Sequence, residues 1–156
     1  MTAGEITAEQ PSGVGRENPY FDTPAARRLV DDLLKAGDGR TGDHLSTAIR
    51  VVTSSASSLG VEQVDAAIAA IALLLAERAP ELLDGAADES RLRSWIQHVD
   101  TELTPGRRLA ANGALARIEL GLDNEWFEAR RTDGTLNSAL RSLHTLRDEL
   151  ADANGH

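Results

Sequence analysis

The chain has 156 residues, 3% of them aromatic and none of them cysteine, and its 16 basic residues stand against 25 acidic ones for a formal net charge of −9. That length suits one domain burying roughly 70% of the surface its unfolded chain exposes, and the lack of cysteine excludes disulfides, thiolate nucleophiles and sulfur-ligated metals. The acid excess is spread along the chain, 11 acidic residues against 7 basic over positions 1–78 and 14 against 9 over 79–156, which disfavours nucleic acid and anionic membrane as partners and leaves a basic protein as the fitting one.

Residues 1–17 mix Gly, Pro, Ser and Glu without periodicity and read as a flexible N-terminal arm. Glu5 and Glu9 stand where an export signal needs apolar residues, so a cytoplasmic location is expected. A helical domain over 18–153 follows. Tyr20 and Phe21 directly precede Thr23 and Pro24, a capping residue and a proline suited to the first helical position. An aromatic pair there reads as a peg that fixes the chain's entry, with the Tyr20 hydroxyl left in water. Ala26, Leu29, Val30, Leu33 and Leu34 give the first helical stripe, and Gly37 supplies its stop.

After the turn GDGRTGD, Leu45, Ala48, Ile49 and Val52 predict a second helix that frays at TSSASS. A third, from about Val61 to Ala79, contains AAIAAIALLLA, eleven apolar residues where a membrane span needs about 20. Apolar nearly all round in its second half and rich in alanine, it predicts the central helix against which the others pack. Asp88 or Ser90 caps a fourth helix with the stripe Leu92, Trp95, Ile96 and Val99. Thr104 and Pro105 open a fifth, with Ala111, Ala114, Leu115, Ile118 and Leu122 facing in. Asp123 and Asn124 break that helix and start a short one through Arg131, and a TDG turn precedes a last helix carrying Leu136, Leu140, Leu143, Leu146 and Leu150. No strand pattern is present, so the expected fold is all-α, a compact single domain of six or seven helices around the alanine-rich one.

Chemistry is harder to find. His98 and Glu102 are four apart, as are His144 and Asp148, the spacing at which two ligands share a helix face. Such spacings arise readily by chance, no His-Glu-x-x-His is present, and the residues three before His44, His98 and His144 are Thr41, Trp95 and Arg141 rather than glutamates. The cluster GDGRTG lacks the lysine of a phosphate loop, and the serines at 54, 55, 57 and 58 have no nearby base. Hence no catalytic residue, metal or cofactor is assigned. The more informative stretch is LDNEWFEARR, where Trp126 and Phe127 are bracketed by Glu119, Asp123, Glu125 and Glu128. A tryptophan among acids suits an interface anchor for a basic partner. The competing reading, preferred because large aromatics also dominate small cores, makes both rings fillers against the alanine-rich helix. A second acidic turn holds Glu81, Asp84, Asp88 and Glu89.

Phe21-Asp22-Thr23-Pro24-Ala25-Ala26, the acidic first helix with Asp31 and Asp32, the alanine-rich helix and Glu125-Trp126-Phe127 together resemble a bacterial group, domain-of-unknown-function family 4259. The resemblance spans about residues 18–151. The family's usual opening, Trp-Gly-x-Gly-x-Phe, is replaced here by VGRENPYF, which has no tryptophan. What the resemblance implies is a small helical bacterial protein of the cytosol; it transfers no catalytic residue. The expected function is therefore non-catalytic binding of a basic protein, most concretely as an antitoxin- or immunity-type inhibitor. A self-associating helical module and a metal-dependent enzyme are the alternatives.

Overall fold

The computed structural model describes residues 18–36, 41–99 and 101–154; the arm assigned to residues 1–17 and the stop assigned to Gly37 lie outside them. Among the described residues there are seven α-helices: α1 (Pro24–Ala36), α2 (Thr41–Thr53), α3 (Val61–Ala76), α4 (Glu89–Ile96), α5 (Pro105–Leu120), α6 (Glu125–Asp133) and α7 (Leu136–Asn154), with a 3₁₀ turn, Pro80–Leu83, between α3 and α4. Among the described residues there is no strand, only an isolated bridge between Leu59 and Asn124. No described helix is long and apolar enough to cross a membrane.

Helix α3 is the centre of the array. Twelve of its residues, Asp65 among them, are buried, and it touches α1, α2, α5, α6, α7 and the 3₁₀ turn. Ala67, Ala69, Ala70, Ala72 and Ala76 are all buried; with so little side-chain bulk on α3, the surrounding backbones lie close to it.

The helix boundaries follow local chemistry. Thr23 caps α1 by accepting from the Ala26 amide at 3.2 Å, and Thr104 caps α5 by accepting from that of Arg107 at 3.1 Å. Asp88 holds the N-cap position of α4 without a side-chain capping bond; its carboxylate pairs with Arg91 instead. Three expected helices end early. Helix α3 stops at Ala76 rather than Ala79, the Arg78 and Ala79 amides both turning back to the Leu75 carbonyl, at 3.0 and 2.8 Å. At α4, both the amide and Nδ1 of His98 face the last turn, 2.9 Å from the Trp95 carbonyl and 2.8 Å from that of Ser94. The helix therefore stops at Ile96 and leaves Val99 out. At α5, Gly121 takes a left-handed φ of 76°, which favours glycine, and a Cβ there would lie 3.1 Å from the Phe127 ring, a tight contact that the ring would have to relieve by a small shift. Leu122 falls beyond that stop and is 64% exposed, not part of the inward stripe. In α7, Leu143, Leu146 and Leu150 are buried while Leu136 and Leu140 are only partly so.

The entry segment is locked by side chains rather than by helix. Asn18, 4% exposed, donates from Nδ2 to the carbonyls of Leu82 and Asp84 at 2.8 and 2.9 Å. Its Oδ1 accepts from the amides of Tyr20 and Phe21 at 2.8 and 3.1 Å. Asp22 completes the clamp, accepting from the amides of Asn18 and Ala87 at 2.8 and 3.0 Å. Tyr20 and Phe21 thus enter the core as a peg, edge to face at 6.3 Å. The Tyr20 hydroxyl is not left to water; it donates to the Ser142 carbonyl of α7 at 3.1 Å.

Candidate functional site

Trp126 is the largest fully buried side chain and is 2% exposed, so it fills the core and is not a surface anchor. Its indole N–H donates to Asp65 Oδ1 at 3.0 Å, and the Arg130 guanidinium lies over its ring at 5.6 Å. Arg130 in turn donates to the Thr135 hydroxyl at 3.3 Å. The result is a buried carboxylate with one hydrogen-bond donor and one nearby cation, beside a cleft of about 290 Å³ lined by Thr23, Ile68, Arg130, Ser138 and Ser142. Burial pushes the Asp65 carboxyl above the ordinary aspartate range; Arg130 and then the indole N–H pull it back, and Glu62 adds to the rise. The signal in the sequence was an acid directly before the apolar run of α3, and periodicity alone did not say whether it was paired.

For a raised carboxylate pKa, the folded state holds the proton more tightly than the unfolded state. The contribution to stability is complete below the unfolded pKa and is lost as pH rises through the folded one. Asp65→Asn keeps an acceptor for the indole and removes this titration. Its unfolding free energy is expected to lose less than that of the wild type as pH rises through that window, measured by denaturant unfolding at a series of pH values. Parallel profiles for the two proteins would refute a titrating Asp65.

The acidic residues singled out above divide into committed and uncommitted groups. Glu119, with its side chain 17% exposed, lies 3.0 Å from Arg147 and 3.5 Å from His144. Glu128 pairs with Arg131. Asp84 and Glu89 both hold Arg93, at 2.6 and 2.9 Å, and the Gly85 amide, followed by Arg93, lowers the Glu89 carboxyl below its usual range. Asp123 and Glu125 are exposed and belong to none of the ion pairs among the described residues. Their backbones nonetheless tie the α5–α6 link to the chain before α3. The Leu59 amide donates to the Asp123 carbonyl and the Glu125 amide to the Leu59 carbonyl, each at 2.8 Å. Asn124 caps α6 through the Phe127 amide at 3.0 Å while donating to the Ile118 carbonyl at 2.9 Å.

Glu81 has different company from that of its acidic turn. Its charge acts on Glu149 of α7, whose carboxyl is pushed up first by burial, then by the charges of Glu81 and Asp152, with Arg78 opposing and Asp148 adding. This grouping of the 3₁₀ turn with the end of α7 was missed in the sequence because the two segments are far apart along the chain.

The histidine pairs do not build a centre. His98 lies past the end of α4, so it shares no helix with Glu102. His144 and Asp148 do share α7. Among the described residues no three His, Asp or Glu side chains gather as a metal site. A second cleft, about 480 Å³, is lined by Glu77, Arg78, Thr101, Glu102 and Arg108; the Thr101 hydroxyl is buried without a hydrogen-bond partner. Neither cleft sets a nucleophile beside a histidine.

No protein-family model, curated protein or solved structure matches the chain. The resemblance to family 4259 rests on its short motifs.

Proposed function

We propose that this protein is a non-catalytic binding module whose acidic face, made of carboxylates from the 3₁₀ turn and the end of α7, engages a basic protein partner in the manner of an antitoxin or immunity protein. The single observation that carries the reading is the exposure of Glu81, Asp148 and Asp152 within electrostatic reach of Glu149, whose carboxyl is raised by burial first and then by Glu81 and Asp152, with Arg78 opposing and Asp148 adding. Like charges held together raise the free energy of the unbound protein, and an incoming cation recovers that energy while steering the encounter. The overall charge of −9 acts in the same direction at longer range. Asp84, Asp88 and Glu89 support the turn through their arginines.

The test is a quantitative pull-down from lysate of the source cells with wild type, Glu81→Lys/Glu149→Lys, and Asp31→Lys/Asp32→Lys as a control that changes net charge equally on α1. The expected outcome is capture of one basic protein by the wild type and the control, and its loss with the first variant. Equal capture by all three, or equal loss from both variants, would defeat the proposal, the latter because it would indicate attraction to net charge alone.

A further inference from the structure

Helix α5 presents a face to solvent that is unusual for a chain with 26% charged residues. Its exposed positions are Pro105, Gly106, Leu109, Asn112, Gly113, Ala116 and Leu120, and none carries a charge. At 100° per residue, Leu109, Gly113, Ala116 and Leu120 fall on one stripe opposite the buried Ala111, Ala114, Leu115 and Ile118. Leu109 is 75% exposed and Leu120 62%, and Leu122, just past the helix end, is 64% exposed. Of the charged side chains of α5, Arg108, Arg117 and Glu119 lie on its flanks, where Arg117 reaches the Leu122 carbonyl and Glu119 pairs with Arg147, while Arg107 lies on the side opposite the stripe and reaches the Glu102 carbonyl.

We infer that this face binds a second copy of the same chain, the two α5 helices crossing antiparallel. The stripe is self-complementary under a two-fold axis: the two leucines stand about 16 Å apart, either side of Gly113 and Ala116. Turning one copy end for end sets Leu109 against Leu120 of its partner and the small residues across from each other, where they permit close approach of the two backbones. Charge fixes the same direction. Arg108 flanks the start of the helix and Asp123 and Glu125 follow its end; none of the three belongs to an ion pair among the described residues. An antiparallel crossing brings the basic end of each helix to the acidic end of the other, twice per dimer, and opposes the two helix dipoles favourably. A parallel crossing would set like charge against like. A basic partner of another kind would find no acid on the stripe itself. This interface is separate from the acidic face of α7 and stands or falls independently of it.

Sedimentation velocity over a concentration series tests the inference on the full chain. The wild type is expected to pass from monomer to dimer with rising concentration. Leu109→Glu/Leu120→Glu, and separately Ala116→Arg, should each weaken dimerisation by at least about tenfold with unchanged circular dichroism. Arg108→Glu should weaken it too, and addition of Glu125→Arg should restore it. A wild type that stays monomeric up to its solubility limit overturns the inference and leaves the face to a different partner. A dimer indifferent to all of these substitutions overturns it by placing the interface elsewhere.

Discussion

Trp126→Ala is expected to destabilise the domain by about 3–5 kcal/mol, as truncation of a large buried aromatic does. Two effects add. The ring is 2% exposed, so its removal opens a cavity at the junction of α3, α6 and α7, and the indole N–H at 3.0 Å is the hydrogen-bond donor to Asp65. Loss of that donor leaves a buried carboxylate with only the Arg130 charge to oppose its desolvation. Trp126→Phe separates the two effects, since it keeps most of the apolar volume and strands the acid; about 1–3 kcal/mol is expected from that alone. Denaturant unfolding of both variants, and of each in an Asp65→Asn background, closes a double-mutant cycle. A Trp126→Ala protein within about 1 kcal/mol of wild type would show that the ring is not part of the core.

Asn18→Ala should cost about 4 kcal/mol. One amide side chain makes four hydrogen bonds, two as donor to Leu82 and Asp84 carbonyls and two as acceptor from Tyr20 and Phe21 amides. A typical net value is about 1 kcal/mol each, and truncation leaves buried backbone groups without partners. The damage should be local first: amide hydrogen exchange at Tyr20, Phe21 and Ala87 should quicken before the amides of α3 respond. Asn18→Asp is the informative companion, because it retains the acceptor and replaces the two donors with an oxygen facing carbonyl oxygens. If Asn18→Asp proved as stable as wild type, the 3₁₀ turn would not depend on this clamp.

Much of the architecture was legible because it is written locally. Thr-Pro before an apolar stripe is a cap whose partners lie within one turn, and an alanine-rich helix without a polar face has to sit in the middle of the array. The errors have local causes too, but of a kind periodicity does not report. His98 folds back on the last turn of α4, and Gly121 stops α5 in a left-handed conformation close against the Phe127 ring. At the candidate sites the limits are plainer. The four acidic residues at 81, 84, 88 and 89 look alike in sequence, yet three are held by arginines on their own segment and Glu81 joins α7.

By itself, then, the sequence determined the all-α class, the order and approximate positions of the helices and the centrality of the alanine-rich one, all consequences of neighbours within a few residues. The tertiary structure decided the rest. It placed Trp126 against an acid 61 residues away and Asn18 against carbonyls 64 and 66 residues away. It also decided which carboxylates face each other and which side of α5 remains uncovered. Those outcomes depend on how helices stack, and a side chain's burial and partners are properties of the stack rather than of the stretch that contains it.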